Sequence, residues 1–532
     1  MKKKIAITTL LSMLFCVQGY SLTSYPSPLT SHPSPLTSKS KAHALPVIPG
    51  YHPDPSVCRV GNDYYLVNSS FQYFPGVPIF KSSDMRHWTQ IGNVLDRESQ
   101  LPLAGASSWL GIYAPTIRYN DGLFYMITTN VGGKGNFLVT AERPEGPWSE
   151  PVWLSQQGID PSLYFEDGKC YMVSNPDNTI TLCEIDPTTG RQLTESRGIW
   201  QGTGGRYPEG PHIYKKDGYY YLLISEGGTE IAHKLTIARS RNIYGPYESN
   251  PANPIFTHCC MAAQGSQVQG TGHGDLVEDA NGQWWITFLA FRFYNGSYHH
   301  LGRETFLAPV EWSAEGWPIV NGGEPLQEVK GEVNDLPSVD ILNTAAKGFG
   351  QMGTEWVYIQ NPDSTKYEHR GKVLRLHGSS STLTENNRPT FVGRRQQHAD
   401  MTVRVGIDAS QLKPGDEAGL TAYQIHDGHC EVLVGRAADG KFYATVRYRM
   451  KNLEKTEEKV WLDSSKQQFV LRATPELYEF LCGKDDKSLK SLGSIAPQLM
   501  STEVVGGFTG IVLGIYATGS GSADFHYFDY KF

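Results

Sequence analysis

The chain has 532 residues, more than one hydrophobic core usually supports, so two domains are expected. Its formal net charge of −7, without a basic stripe or an arginine-rich tract, argues against nucleic acid as a partner. A content of 55 Gly and 29 Tyr favours turn-rich β-structure over helical bundles, and aromatic rings of this kind suit sugar binding.

Residues 1–19 have the pattern of a secretory signal peptide. Lysines at 2–4 precede an apolar run over residues 5–17, which is shorter than the roughly 20 residues that span a bilayer. We therefore expect export, to the periplasm or the medium, and no transmembrane segment. A lipoprotein anchored through Cys16 is the weaker alternative, because bulky Phe15 precedes that cysteine.

Residues 20–44 contain the tandem repeat YPSPLTS and HPSPLTS. Proline, serine and threonine at this density cannot build a core, so this segment is predicted to be a disordered linker.

A longer repeat follows, in which an Asp, Asn or Gly turn precedes aromatic residues and an apolar run. Its copies lie roughly 45–65 residues apart, which is the scale of a propeller blade. No long amphipathic helix interrupts them, so the pattern predicts a five-bladed β-propeller over residues 45–325. The five copies are GNDYYLVNSS (61–70), NDGLFYMITT (120–129), EDGKCYMVSN (166–175), KDGYYYLLIS (216–225) and ANGQWWITFL (280–289).

The pattern changes after a junction at residues 326–344. Over residues 345–532, apolar and polar residues alternate at period two in segments such as MTVRVGI and KFYATVRYRM. This alternation predicts an antiparallel β-sandwich, so the expected fold class is all-β.

The eight cysteines show no metal-binding spacing, and removal of Cys16 with the signal peptide would leave seven. One or two disulfides are compatible with export, but buried free thiols are the favoured interpretation for most of them.

Three carboxylates stand beside prolines at the starts of predicted inner strands. Asp54 lies in HPDPS, Asp160 in GIDPS and Glu209 in PEGPH, each in the same position relative to its hairpin. Taken singly, each is better read as a turn. A propeller, however, brings the starts of its inner strands together around one axis, so the three acids are expected to share a pocket.

Acids grouped in this way suit glycoside hydrolysis. One protonated carboxyl donates to the leaving oxygen, and an ionised one on the opposite side takes a proton from water. A third carboxylate near the acid disfavours a second ionisation and keeps the pKa of the acid raised.

The chain resembles glycoside hydrolase family 43, of the β-xylosidase and α-L-arabinofuranosidase type with a C-terminal β-sandwich. The resemblance rests on PGYHPDPSVCRVGNDYYLV, YAPTIRY, GIDPSLYF, PEGPHIY, SEGGT, GTGHGDLVE and LGRETFLAPVEW, in that order. It implies that Asp54 is the general base, Asp160 the pKa modulator and Glu209 the general acid. It also implies inversion, with base and acid roughly 6.5–9.5 Å apart.

The resemblance extends to further residues. Phe71 matches a pocket-wall aromatic or a strand-core residue, and Arg303 matches an arginine that reaches the sugar or the acids. His273 matches a channel histidine that supports a water-ligated calcium ion in some members, or is a core residue. Phe508 matches an aromatic sent from the sandwich into the pocket. Tyr113 departs from the common Trp before Ala-Pro, so substrate preference cannot be copied. No cofactor is needed for the chemistry, and a structural calcium near the propeller centre is expected to depend on His273.

The leading interpretation is an exo-acting, inverting hydrolase that releases terminal α-L-arabinofuranose, β-D-xylose or both from hemicellulose-derived oligosaccharides of plant cell walls. An endo-arabinanase is the near alternative. A non-catalytic carbohydrate-binding propeller would not need all three acids. A retaining fructosidase is disfavoured, because His52 and Pro53, rather than Asn, precede Asp54.

Overall fold

The computed structural model describes residues 45–326, 348–350 and 352–532. The predicted signal peptide, the linker and most of the junction lie outside these residues. The described chain is nearly all strand, as predicted. It contains one four-residue α-helix, α1 (Thr502–Val505), and no helix in it is long and apolar enough to cross a membrane. The remaining helical turns are short 3-10 segments at Met261–Gln264, Asn321–Gly323, Gly348–Gly350, Ser364–Lys366 and Pro497–Met500.

Five antiparallel sheets follow one another along the first part of the chain and form the predicted five-bladed propeller. Blade 1 contains β1 (Ser56–Val60), β2 (Asp63–Val67), β4 (Gly76–Ser82) and β5 (Thr89–Leu95), with β3 (Tyr73–Phe74) outside its sheet. Blade 2 contains β6 (Gly111–Ile112), β7 (Thr116–Asn120), β8 (Leu123–Val131), β9 (Gly135–Ala141) and β10 (Val152–Trp153). Blade 3 contains β11 (Ile159–Glu166), β12 (Lys169–Asn175), β13 (Ile180–Ile185) and β14 (Arg197–Trp200).

The last two blades have the same arrangement. Blade 4 contains β15 (Glu209–Lys216), β16 (Tyr219–Glu226), β17 (Lys234–Ser240), β18 (Glu248–Ser249) and β19 (Phe256–Thr257). Blade 5 contains β20 (Val268–Glu278), β21 (Trp284–Arg292), β22 (Glu304–Trp312) and β23 (Pro318–Val320). The inner strands β1, β7, β11, β15 and β20 contact one another in turn, and β20 also contacts β1, so the ring is closed.

The sequence repeat corresponds to the hairpin between the first two long strands of each blade, which confirms that part of the prediction. In blades 2, 3 and 4 the turn is an Asp-Gly pair in which both residues have positive φ. This backbone fits the right-handed twist of a two-residue hairpin, and glycine adopts it without a steric penalty.

The N-terminal segment closes the ring from outside the first sheet. The backbone of Ile48 pairs with Thr305 on β22, and Val47 donates a hydrogen bond of 2.8 Å to the Thr305 carbonyl. Residues just before blade 1 are thereby joined to blade 5. The segment that leads to Asp54 thus has a fixed position.

The second part of the chain forms the predicted β-sandwich, whose two seven-stranded sheets enclose a continuous apolar core. One sheet has the order β25-β26-β38-β28-β34-β35-β36, and the other has the order β27-β37-β29-β30-β31-β32 with β33 beside β31. The strands are β24 (Tyr358–Ile359), β25 (Tyr367–Arg370), β26 (Val373–His377), β27 (Thr390–Arg395), β28 (Met401–Asp408), β29 (Glu417–Ile425), β30 (Gly428–Arg436), β31 (Phe442–Met450), β32 (Leu453–Thr456), β33 (Val460–Leu462), β34 (Lys466–Ala473), β35 (Tyr478–Gly483), β36 (Lys490–Ile495), β37 (Val512–Thr518) and β38 (Ser522–Lys531).

The sandwich packs directly on blades 1 and 2. Strand β24 pairs with β3, and an aromatic cluster buries Tyr51 and Tyr73 of the propeller against Phe391, Tyr423 and Tyr516 of the sandwich. Burial of rings this large contributes strongly to the joint, so the sandwich holds a defined position over one sector of the propeller face.

The seven described cysteines are free thiols, in agreement with the favoured interpretation. Five of them are buried, whereas Cys259 and Cys260 are exposed.

Candidate active site

A three-residue unit recurs in all five blades, either just before the inner strand or within it, and the strand registers align its copies. Its first residue is Asp54, Ala114, Asp160, Gly210 or His273, and its third is Ser56, Thr116, Ser162, His212 or Asp275. The first residue has a φ of 49–57° in every blade except the second. Residues other than glycine rarely adopt this left-handed backbone conformation, and those that do are often found at functional sites.

This register corrects one detail of the sequence analysis. Gly210, not Glu209, stands at the position equivalent to Asp54 and Asp160, and Glu209 lies one residue earlier. The pairing of β15 with β16 shifts between Glu209 and His212, and β11 has a similar irregularity between Ile159 and Ser162. Bulges of this kind re-aim side chains, so the acids can face the axis from two different registers.

All eight candidate residues line one cavity of about 370 Å³ at the propeller axis. The sandwich contributes one of them, so the cavity is built by both parts of the fold. The residues predicted from the sequence are Asp54, Phe71, Tyr113, Asp160, Glu209, His273, Arg303 and Phe508. The structure adds Ala114, Ile159, Asn175, Tyr207, Gly228, Thr229 and Glu230.

Asp54 is buried among groups that favour its ionised form. Burial alone opposes ionisation, but Arg303 Nη1 lies 2.9 Å from Asp54 Oδ1, and His273 Nδ1 lies 3.7 Å from the same oxygen. Ser69 also donates a hydrogen bond to Oδ2. Together these partners hold the pKa of Asp54 below its ordinary value, so the carboxylate is charged at neutral pH.

Asp160 is in the opposite electrostatic situation. Burial, followed by the neighbouring Glu209 and Asp54 carboxylates, raises the pKa of Asp160 well above its ordinary value. One hydrogen bond of 3.2 Å from the Gly210 backbone N–H to Asp160 Oδ2 opposes this shift in part. Because burial and the neighbouring negative charges both disfavour its ionised form, Asp160 keeps its proton to a higher pH than an exposed aspartate.

His273 occupies the axis position of blade 5 and depends on a glycine opposite. A Cβ on Gly210 would lie 3.1 Å from the His273 ring, so a side chain at 210 would press on the imidazole. Burial lowers the pKa of His273, although Asp54 raises it in part. His273 is therefore neutral at pH 7 and favours the ionised form of Asp54 only at a lower pH, at which the imidazole is charged.

The surroundings of His273 offer few oxygen donors for the predicted calcium ion. Calcium takes roughly six to eight oxygen ligands, mostly carboxylates, carbonyls and waters. The carboxylate beside His273 is that of Asp54, which is already paired with Arg303. No group of three or more His, Cys, Asp or Glu in the described ranges is arranged to hold a metal. This donor set does not fit a directly bound calcium ion, and a water-ligated one stays a prediction.

Aromatic rings form the wall of the cavity. Phe71 stacks on Phe508 with ring centroids 5.8 Å apart and planes 22° apart, and Tyr113 contacts both rings. The Tyr113 hydroxyl donates a hydrogen bond of 2.8 Å to the Trp109 carbonyl, so the backbone fixes its polar end. Flat apolar faces beside carboxylates are typical of a sugar site.

Beneath the cavity, a buried ion pair that the sequence analysis missed lies on the axis. Arg118 of blade 2 contacts Asp275 of blade 5 through two hydrogen bonds of 2.8 and 3.1 Å. Tyr214 and Ser56, each 2.6 Å from Asp275, add donors from blades 4 and 1. The repeat could have indicated Asp275 in the sequence, because this residue is the third of its unit and points to the same axis as Ser56.

This combination of a propeller, an axial cavity, three carboxyls and aromatic walls defines an enzyme of the glycoside hydrolase class. Residues 44–318 match Glycosyl hydrolases family 43, and residues 349–531 match the beta xylosidase C-terminal concanavalin A-like domain. The chain therefore belongs to glycoside hydrolase family 43, whose members are inverting glycosidases.

Similar proteins support this membership over nearly the whole chain. A non-reducing end alpha-L-arabinofuranosidase of Bacteroides ovatus is 41% identical, covering 92% of this chain and 95% of that protein. A xylosidase/arabinosidase of Butyrivibrio fibrisolvens is 40% identical, covering 92% and 98%. The solved structure of the Bacteroides ovatus xyloglucan PUL GH43B protein has a TM-score of 0.86 and 39% identity, covering 92% of this chain and all of that one.

Proposed function

We propose that this protein is an exo-acting, inverting hydrolase that releases terminal α-L-arabinofuranose, β-D-xylose or both from hemicellulose-derived oligosaccharides of plant cell walls. One observation carries the proposal: Asp54, Asp160 and Glu209 line one cavity, in which the pKa of Asp54 is held low and the pKa of Asp160, the proposed modulator beside Glu209, is raised. Environments that separate the protonation states of neighbouring carboxyls are typical of acid and base pairs in hydrolases.

In the proposed mechanism, Asp54 is the general base. Its charged carboxylate accepts a proton from a water molecule, and that water attacks the anomeric carbon from the face opposite the leaving group. Arg303 and Ser69 orient the carboxylate, and their contacts favour its ionised form before the proton arrives.

Glu209 is the proposed general acid. It gives its proton to the glycosidic oxygen as the bond to the anomeric carbon breaks, and the alcohol leaves. Asp160 is the proposed modulator, because a neighbouring carboxyl discourages early ionisation of the acid. Attack and departure on opposite faces invert the anomeric configuration, and solvent then restores both protonation states.

The wall of the cavity favours release of single sugars over cleavage within a chain. Phe508, which belongs to the sandwich, lies against Phe71 and limits the cavity on that side. Its backbone carbonyl also accepts a hydrogen bond from Arg303, so the wall is tied to the base. Relatives named for arabinose and xylose release support the two pentoses, and the names do not separate them.

The test uses aryl α-L-arabinofuranoside and aryl β-D-xyloside with Asp54→Ala and Glu209→Ala variants. We expect each variant to lower kcat by about 10²- to 10⁴-fold, because each removes an acid or base function. The matched control is Glu248→Ala, which removes an exposed carboxylate of blade 4. Undiminished activity in both cavity variants would contradict the proposal, and so would inactivity of the unmodified enzyme on both glycosides.

Export is part of the proposal and rests on the basic and apolar pattern of residues 1–19. Fractionation of expressing cells, with N-terminal sequencing of the mature chain, tests it. We expect the enzyme outside the cytoplasm and a first residue near position 20. An uncleaved cytoplasmic chain would contradict export and leave the catalytic proposal intact.

A further inference from the structure

His233, which no motif of the sequence analysis contained, lies directly against the proposed general acid. Its side chain is fully buried just before β17, and its Nε2 lies 3.2 Å from Glu209 Oε1. Its Nδ1 lies 3.2 Å from the Gly270 carbonyl oxygen on β20. The imidazole is thus held between a backbone acceptor and a carboxyl group.

The close approach of the ring is built into the backbone of β20. A Cβ on Gly272 would lie 2.3 Å from the His233 ring, an overlap that no side chain tolerates. Gly272 therefore provides the surface on which the imidazole lies flat. The absence of a side chain at position 272 is therefore required by the His233 ring, which has one defined position.

The two contacts of the ring determine its tautomer. A carbonyl oxygen only accepts hydrogen bonds, so Nδ1 must carry a hydrogen and donate it to Gly270. In a neutral ring, Nε2 is then an acceptor, and an ionised Glu209 oxygen is an acceptor as well. The contact between them is stable only when one proton lies on Oε1 or on Nε2.

We propose that His233 is a positioning residue that keeps the general acid loaded, by sharing one proton with Glu209 in the resting enzyme. This inference rests on the proposed role of Glu209. When substrate enters, the glycosidic oxygen takes that proton, the bond to the anomeric carbon breaks, and the alcohol leaves. The Glu209–His233 pair then regains one proton from solvent, while Asp54 releases to solvent the proton it took from water.

The other charged groups near His233 are compatible with this sharing. Asp54 and His273 interact electrostatically with it across the cavity, Asp160 interacts in the same way with Glu209, and Glu230 and Lys234 are its near neighbours in the chain. Glu209 Oε1 lies 3.2 Å from Nε2, and this buried nitrogen has no other hydrogen-bond partner in the described ranges. The imidazole therefore has one acidic partner for its free nitrogen.

The first test is the pH dependence of kcat/KM for His233→Ala. A second acceptor stabilises the proton on the pair, so its removal lets the proton leave at lower pH. We expect the alkaline limb to move to lower pH by about half to one unit. His233→Gln, whose amide oxygen can accept from Glu209, should recover part of the shift. An unmoved alkaline limb in His233→Ala would overturn the inference.

The second test is the dependence of the rate on the leaving group. A 2,4-dinitrophenyl pentoside leaves without protonation, whereas an alkyl or sugar leaving group needs the acid. We expect His233→Ala to lower kcat/KM by about 10- to 100-fold for the poor leaving group and by less than about threefold for the dinitrophenyl one. An equal loss on both substrates would mean a structural role and would overturn the inference.

Two controls separate the possible failures. His429→Ala breaks another buried His–Glu pair, in the sandwich, where His429 Nε2 lies 3.1 Å from Glu431 Oε1. This variant should lower the melting temperature without changing the leaving-group dependence. Glu209→Ala should show the dependence most strongly. If Glu209→Ala shows the leaving-group dependence and His233→Ala does not, only the role of His233 is wrong. If Glu209→Ala does not show this dependence, the assignment of Glu209 as the acid is wrong.

Discussion

Arg303 and Asp54 form a buried ion pair, with 2.9 Å between Nη1 and Oδ1 and both side chains less than a tenth exposed. The pair joins the two ends of the ring, because Arg303 precedes β22 of blade 5 and Asp54 precedes β1 of blade 1. The His52 N–H donates a hydrogen bond of 3.0 Å to the Arg303 carbonyl and fixes the same junction. Closure of the propeller and the charge of the proposed base are thus determined at one place.

The first prediction concerns the acid limb of the pH profile. Arg303 lowers the pKa of Asp54, and the proposed base must be ionised, so removal of the guanidinium raises that pKa and moves the acid limb to higher pH. We expect Arg303→Met to move the limb to higher pH, and Arg303→Lys, which keeps the charge, to move it less. The profile of kcat/KM between pH 3 and 8 measures both, and an unmoved limb in Arg303→Met would contradict the account.

The second prediction concerns the aromatic wall. Phe508→Ala removes a ring stacked on Phe71 inside the cavity, so substrate binding should weaken and KM should rise by about 3- to 10-fold. Phe532→Ala is the matched control, because that ring is 68% exposed at the end of the chain. Steady-state kinetics on both pentosides measures the effect. An equal KM in both variants would show that the sandwich contributes nothing to the sugar site.

The third prediction concerns stability and the axial ion pair. Asp275→Asn leaves the Arg118 guanidinium buried without its counter-charge, and we expect the free energy of unfolding to fall by about 3–5 kcal/mol. Asp217→Asn, in an exposed turn, should change it little. Urea unfolding at pH 7 measures both. A loss under about 1 kcal/mol in Asp275→Asn would mean that the pair does not stabilise the propeller.

The same ion pair predicts a pH dependence with a definite sign. Although burial opposes ionisation, Arg118 and His212 help to hold the pKa of Asp275 well below its ordinary value. Its stabilising contribution is therefore fully present above the unfolded-state pKa of about 3.9 and is lost as pH falls toward the folded value. The stability difference between the unmodified chain and Asp275→Asn should shrink below about pH 4. A difference that stays constant down to pH 2 would contradict this.

The fourth prediction concerns metal removal. Because the proposed chemistry uses only protein carboxyls, we expect a chelator to leave kcat/KM unchanged. A fall in melting temperature that calcium, but not magnesium, restores would locate the predicted ion, and His273→Ala would then abolish that restoration. Loss of activity on chelation would contradict the proposal that no cofactor is required.

Local pattern was enough to predict the blades and the sandwich. The Asp-Gly turns and the alternating strands are short-range signals, and each corresponds to a hairpin or a strand in the structure. The three acids could be found because the frame D-P-S marks two of them and the related frame P-E-G-P-H marks the third. Because the repeat has a fixed spacing, its copies can be aligned in the sequence. The unit that ends at Asp275 could have been aligned with the other four in this way.

Contacts between distant segments could not be predicted from the sequence. Nothing near His233 in the chain indicates that it meets Glu209, because that contact depends on how blades 4 and 5 pack and on the missing side chain of Gly272. The pairing of Arg118 with Asp275 spans 157 positions for the same reason. Such pairs become visible only when the ring is closed.

The configuration of the first product formed tests most directly whether Asp54 and Glu209 act on opposite faces of the sugar. Proton NMR during hydrolysis of an aryl β-D-xyloside, or of the α-L-arabinofuranoside if that is the better substrate, records the anomeric signal before mutarotation. We expect inversion, so the β-xyloside must first release α-xylose and the α-arabinofuranoside must first release the β-anomer. Initial release of the same anomer as in the substrate would contradict a water molecule activated by Asp54 opposite Glu209.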